Sequence, residues 1–284
     1  MAVAALEPRV ELLSADSMQV YRGMDIGTAK PTVREQRQVR HHLIDLVEPV
    51  EDFTVSQYAT AVRKAAAAVL ARGGLPVLVG GTGLYVRAAI DDLDIPGQYP
   101  GVRAELEADL DTEGLHRRLL DLDPTAAARM EPTNRRRVVR ALEVTLGSGR
   151  RFSDWGPGLT HYPDIATRQV ACDRPRPSLD LRIDVRYDEQ MERGFLDEVR
   201  RLAAEPGGLS RTARQALGYR ELLGHVEEEI DLAESLELAK LRTRRFARRQ
   251  QRWFRRDPRI EWVDLDAASL DGVAASLAAA LGDA

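Results

Sequence analysis

The chain has 284 residues with 41 Lys and Arg against 45 Asp and Glu, a formal net charge of −4. Its 44% hydrophobic content suits a soluble globular protein of one large domain or two modest ones, and no apolar run reaches the ~20 residues of a membrane span. Cys172 is the only cysteine, which excludes an internal disulfide framework and a multi-cysteine zinc site. The opening MAVAALEPRVE has neither a basic start nor a long apolar stretch, so no signal peptide is read and a cytoplasmic address is expected.

In chain order, Val10 to Ser14 reads as a short buried strand ending in the polar turn Ala15-Asp16-Ser17. Phe53 to Gly73 contains a helix that Thr54 or Ser56 can cap and Gly73-Gly74 stops. Pro76 to Gly80 is an apolar strand, and Gly80-Gly81-Thr82-Gly83 turns into the next helix. Strand, crossover helix and strand together form the βαβ pattern of a parallel sheet. Asp91 to Gly101 reads as a linker, and Val102–Leu122 and Pro124–Leu146 as two helices. A Gly- and Pro-rich stretch follows to Pro163. Gln169 to Cys172 predicts a strand, and Leu179–Leu202, Ser210–Gly224 and Leu236–Arg256 predict helices. A strand at Ile260–Leu265 and an Ala-rich helix close the chain. The division expected is an α/β core at 1–92 and 162–284 with a helical insertion at 93–161.

Charge is unevenly spread. Leu238 to Arg256 carries nine basic residues and no acidic one, directly after the acidic stretch Glu221–Glu237. Arg244, Arg248, Arg252 and Arg256 form an i, i+4 row with Arg245 and Arg249 beside it, and Arg135, Arg136, Arg137 and Arg140 form a second cluster. Like charges at helical spacing repel, so the row points either to a polyanion or to a solvated face paired with the acidic stretch. Asp16, at the C-terminal end of a parallel strand, faces the region where α/β proteins bind ligands, though on residue type alone it could equally cap the next segment. Arg22 to Lys30 is rich in small residues that let backbone amides approach an anion; a plain surface loop is the alternative. Thr82 opens a helix, whose N-terminal amides favour negative groups.

Four segments carry a resemblance. They are Ser14–Pro31 (SADSMQVYRGMDIGTAKP), Val79–Tyr85 (VGGTGLY), Arg136–Glu143 (RRVVRALE), and a C-terminal set comprising Leu179–Arg186 (LDLRIDVR), Gln215–Arg220 (QALGYR) and Thr243–Gln250 (TRRFARRQ). In order and spacing they resemble the tRNA dimethylallyltransferase (isopentenyltransferase) family almost from end to end. The resemblance implies a P-loop-NTPase-like α/β core with an inserted helical domain. It also implies transfer of a dimethylallyl group from its diphosphate to the exocyclic amine of the adenosine next to the tRNA anticodon. Asp16 becomes the expected general base and Arg186, with Arg182, the expected diphosphate contact. The expected tRNA contacts are Asp16, Ser17, Met18, Gln19, Thr82, Arg103, Arg136, Arg137, Val138, Val139, Arg140, Gln215, Ala216, Leu217, Gly218, Tyr219, Arg220, Arg244 and Arg248. Mg²⁺ is the implied cofactor, the anticodon stem-loop and dimethylallyl diphosphate the implied partners, and a monomer without membrane contact the expected state.

The family also carries a G-x-x-x-x-G-K-[ST] loop about two dozen residues before the Asp that Asp16 matches. This sequence has no such run, and 15 residues precede Asp16. A chain without that loop is expected to be inactive, either because its start is set too far downstream, which the intact later motifs favour, or because it is a true truncation. A tRNA-binding fragment without catalysis and prenyl transfer to free AMP are the alternative functions.

Overall fold

The computed structural model describes residues 1–91, 93–266 and 269–282, which divide into two compact units, 1–90 with 165–284 and 91–164. The first unit opens with α1 (Ala2–Leu6), β1 (Val10–Ser14), α2 (Val33–Gln38), β2 (His41–His42), α3 (Val55–Ala71), β3 (Leu75–Val79) and α4 (Gly83–Ile90). Thr54 caps α3: its hydroxyl accepts from Gln57 N while the Gln57 side chain accepts from Thr54 N, a reciprocal capping box. β1 is the central strand of a parallel sheet ordered β2-β1-β3, with Leu12 opposite His41 and Val77. Its alternate faces are both covered, so Val10, Leu12, Leu13 and Ser14 are buried.

The second unit holds α5 (Pro100–Ala108), α6 (Thr112–Leu122), α7 (Pro124–Ala127) and α8 (Arg135–Ser148) around Leu106, Leu115, Leu119, Val138, Val139 and Leu142. Each of the two helices expected here is broken. Asp111 accepts from Gly114 N and restarts the chain as α6. Asn134 does the same for α8 by accepting from Arg137 N. Short polar side chains satisfy the unpaired amides of a new helix end, and that chemistry overrides a continuous apolar period.

The first unit resumes with β4 (Gln169–Asp173), α9 (Arg176–Glu192), α10 (Phe195–Ala204), α11 (Tyr219–Val226), α12 (Leu232–Phe254), β5 (Ile260–Asp264) and α13 (Leu270–Gly282). The helix expected over Leu179–Leu202 is two helices, because Gly194 adopts φ +92° between them, a left-handed geometry glycine takes without steric cost. The helix expected from Ser210 begins only at Tyr219, after Gly218 at φ +84°. Strands β4 and β5 pair in parallel as a second sheet, so the described strands form two parallel sheets instead of the one expected. β3 is an edge of the first sheet and, although apolar, only partly buried, with Val79 exposed. The main core joins Leu13, Tyr21, Met24 and Tyr58 to Ile183, Phe195, Tyr219 and Leu222, so the strand ends and α9 to α11 share one packed interior. Among the described residues no helix is long and apolar enough to cross a membrane.

Candidate functional site

The site is built where β1 and β3 end. Ala15 N donates to Val79 O at 2.7 Å, and Thr82 N donates to Ala15 O at 3.2 Å, so the two strand exits are zipped together. Only glycine fits at position 80: a Cβ there would lie 2.5 Å from the Ala15 carbonyl. The Thr82 hydroxyl then accepts from Ser17 N at 3.1 Å and donates to Ser17 Oγ at 3.3 Å. Below the strand exit Tyr58 donates to Ser14 O at 3.0 Å, and its ring stacks on Tyr85 with centroids 3.9 Å apart.

Asp16 leaves β1 in a tight turn, its Oδ1 accepting from Met18 N at 2.7 Å. Asp16 N donates to Ser14 Oγ, which in turn donates to Gln19 Oε1 at 2.9 Å. Burial pushes the Asp16 carboxyl above the usual carboxylate range. The amides of Met18 and Gln19 and the positive charge of Arg186 pull the other way without cancelling the rise. The result is a carboxylate with enhanced proton affinity, within electrostatic reach of a guanidinium. That pairing suits a group that must accept a proton next to an anionic ligand.

The C-terminal half of α12 lies on the Gly80–Gly83 turn. Gln250 Nε2 donates to Gly81 O at 2.9 Å, and a Cβ on Gly83 would lie 2.1 Å from Trp253 Nε1. The turn's glycines therefore make room for side chains of the basic helix, and the helix in turn holds the segment that presents Thr82.

The Arg22–Lys30 loop differs from the ligand-binding cradle its composition suggested. The amides of Asp25, Ile26 and Gly27 donate to the carboxylate of Glu198, on α10, at 3.0, 2.9 and 3.2 Å. The anion the small residues accommodate is internal. Tyr219 donates to the same carboxylate at 2.5 Å, and Gln190 Nε2 donates to Ile26 O at 2.6 Å. Lys30 Nζ is buried and donates to Tyr21 O, Asp25 and Asp45 at 2.6 to 2.7 Å. Sequence reasoning missed Glu198 and Gln190. The available signal was an acidic residue on the buried face of α10, three after Phe195 and one before Val199.

Arg182 and Arg186 are exposed on α9. Asp184 and Asp188, the neighbours that could have paired with them, turn to α12 instead: Asp184 binds Arg244 and Asp188 binds Lys240 at 3.0 Å. Arg244 is thus partly buried against Asp184, apart from the exposed members of the basic row. Its guanidinium spends its charge on Asp184. Arg245, Arg248, Arg249, Arg252 and Arg256 remain exposed, and Arg248 and Arg252 line one surface depression with Arg176 and Arg255. In the Gln215–Arg220 segment Ala216, Gly218 and Tyr219 are buried and Leu217 is partly covered. Only Gln215 and Arg220, 3.5 Å apart, are exposed there. Ala216 and Tyr219 therefore serve the core, Tyr219 through Glu198.

In the second unit Val138 and Val139 are 0% and 2% exposed, so both side chains pack inside that unit and neither can meet a ligand. Arg103 and Arg140 pair with the buried Glu143 at 3.2 and 2.9 Å. Arg135 donates to the Glu107 and Asp109 carbonyls at the end of α5. Arg136 and Arg137 are the cluster members left exposed.

No group of three or more His, Cys, Asp and Glu side chains among the described residues could hold a metal ion. The donor set therefore does not fit a dedicated protein site for Mg²⁺. Such an ion commonly rides on ligand phosphate oxygens with one or two carboxylates, and no step below is routed through it.

Comparison with known proteins gives concordant results. The family model described as IPP transferase matches residues 19–257. A tRNA dimethylallyltransferase of Thermobifida fusca is 49% identical over 266 residues, 92% of this chain and 82% of that one. One from a Nocardioides species is 46% identical over 275 residues, 96% and 88% of the two chains. The crystal structure of the tRNA isopentenylpyrophosphate transferase of Bacillus halodurans superposes with a TM-score of 0.71 at 35% identity, covering 99% of this chain and 91% of that one.

Proposed function

Since the chain belongs to the IPP transferase family, we propose that it transfers a dimethylallyl group from dimethylallyl diphosphate to the exocyclic amine of the adenosine beside the tRNA anticodon, releasing diphosphate. The observation that carries this reading is Asp16: a carboxylate of raised proton affinity at the end of β1, sensing the charge of Arg186.

In the reaction the amine nitrogen attacks the allylic carbon as the carbon–oxygen bond to diphosphate breaks. The nitrogen becomes acidic as it forms its new bond, and Asp16 takes the proton. Negative charge grows on the departing diphosphate. The exposed guanidiniums of Arg186 and Arg182 can hold its oxygens bidentately and offset that charge. The base must leave its stack to meet the allylic carbon, and base flipping is the expected route. Ser17, Met18, Gln19 and Thr82 surround Asp16 and are the proposed contacts to the extruded nucleotide. Arg136, Arg137, Gln215, Arg220 and Arg248 are the exposed candidates for the rest of the stem-loop.

Asp16→Ala tests the reading. Removing a general base typically costs ~10²–10⁴ in rate, so in a form of the protein that carries the phosphate-binding loop turnover should fall by that order while affinity for an anticodon stem-loop changes little. Arg186→Ala should weaken donor binding or turnover and leave stem-loop binding nearly intact. Near-normal turnover by Asp16→Ala would remove Asp16 from the mechanism. Running the assay with free AMP beside the stem-loop tests whether the acceptor is RNA.

A further inference from the structure

We propose that Glu198 is a positioning residue for this reaction: its buried carboxylate clamps the 25–28 loop and thereby sets Asp16 and Arg186 relative to one another. The proposal rests on the reading of Asp16 and Arg186 given above.

Three successive amides converging on one point form a concavity that ordinarily attracts an anion from outside. Here it is filled from within. Glu198 Oε2 accepts from Asp25 N at 3.0 Å and Ile26 N at 2.9 Å, and Oε1 accepts from Gly27 N at 3.2 Å and Tyr219 Oη at 2.5 Å. Bonds of this kind to an ionised acceptor are about twice as strong as neutral ones. The approach has no slack: a Cβ on Gly27 would lie 2.2 Å from the Phe195 ring and 2.4 Å from that of Tyr219. The loop also holds Ala29 at φ +50°, a conformation that is costly for alanine and needs an external hold.

Two connections lead from this clamp to the reacting groups. The first runs through side chains to Asp16. Thr28 O, in the clamped loop, accepts from Gln19 Nε2 at 3.2 Å, Gln19 Oε1 accepts from Ser14 Oγ at 2.9 Å, and Ser14 Oγ accepts from Asp16 N at 3.3 Å. The second runs to α9. Gln190 donates to Ile26 O and Gly27 O and lies four residues after Arg186, on the same helix. The strand end bearing the base and the helix bearing the guanidinium are therefore anchored on one short loop. That loop keeps its shape because α10 supplies the carboxylate. Glu198 touches no reacting atom in this account; it acts through Gln19 and Gln190.

The test substitutes Glu198→Gln, which keeps the side chain's size but turns an amide donor toward the Asp25–Gly27 amides. Three quantities are read on a form of the protein that carries the phosphate-binding loop: the single-turnover rate of dimethylallyl transfer to an anticodon stem-loop, the stem-loop affinity, and amide hydrogen exchange. The expected result is a rate about 10- to 100-fold lower, in line with what a displacement of about 1 Å costs. Affinity should stay within about twofold. Exchange should quicken at residues 25–27 while the α3 amides keep their protection. Combined with Gln19→Ala, the loss should fall short of the product of the two single losses, because part of the effect of Glu198 runs through Gln19. A wild-type rate, or a double variant whose losses multiply, overturns the proposal. If Glu198→Gln also loses α3 protection, Gln190→Leu, which removes the loop's anchor on α9, carries the same expectations and the same overturning results. Asp16→Ala separates this proposal from its premise. Full turnover by that variant overturns the premise and the proposal with it. A dead Asp16→Ala beside a fully active Glu198→Gln overturns the positioning role alone.

Discussion

Gly80→Ala tests the geometry of the site without removing a polar group. A Cβ at this position would sit 2.5 Å from the carbonyl carbon and oxygen of Ala15. Ordinary carbon contacts begin near ~3.5 Å, so the two strand exits must separate by roughly 1 Å. The obstacle is backbone, with no side chain that could rotate away. The separation stretches the Thr82 N to Ala15 O bond, now 3.2 Å, and moves Thr82 away from Ser17 and Asp16. Overpacking of this kind typically costs ~1–3 kcal/mol of stability. A displacement of ~1 Å between reacting groups can cost ~10² in rate. The assay is single-turnover transfer to a stem-loop by a form that carries the phosphate-binding loop, at a temperature where circular dichroism shows the variant folded. Gly101→Ala, where a Cβ meets nothing within 4 Å, is the control and should keep its rate. A Gly80→Ala protein that is folded and transfers at the wild-type rate would show that the β1–β3 exit does not set the reacting geometry.

Asp16 ties activity to pH. Its carboxyl is raised by burial, so the rate should fall with acidification beginning above the usual carboxylate range, and Arg186→Gln should move that limb higher by removing a charge that holds the carboxyl down. A raised folded-state value also means that ionised Asp16 costs stability once pH exceeds the unfolded-state value. Asp16→Asn should therefore raise Tm at neutral pH, with the gain vanishing in acid; an equal gain at all pH values would refute the sign. Glu11 is the opposite case. Its hydrogen bonds to Arg72 chiefly, and to His42, hold its carboxyl down to about 2, so the stability it contributes is present above the ordinary Glu range and is lost as pH falls through about 2. Glu11→Gln should lower Tm at pH 7 and converge with the wild type near pH 2. Reversing the charges of Arg248 and Arg252 should reduce the slope of log K against log salt for stem-loop binding by roughly one to two. Arg244→Ala should leave that slope unchanged and lower stability by about 1 kcal/mol, since Arg244 pairs with Asp184.

The sequence by itself determined the local pieces. Five-residue runs such as VELLS and LPVLV have few options but strand, and Thr54 with Gln57 spells a helix start in a form that needs no tertiary help. Asp16, Thr82 and Arg186 were legible because each sits beside a turn or within a motif whose order survives in the linear chain. Tertiary structure decided what each charge is for. Arg186 and Arg244 both lie on helices, yet one stays exposed within electrostatic reach of Asp16 and the other is bound to Asp184, 60 residues earlier. Val138 and Val139 share a motif with Arg136 and Arg137, but the 3.6-residue period of α8 turns the valines into the core and leaves the arginines in solvent. Glu198 was illegible for the same reason. The three amides it satisfies belong to residues more than 170 positions earlier, and a backbone amide has no letter in the sequence. Which amides lack a partner, and which buried carboxylate answers them, becomes defined only when packing brings the two segments together.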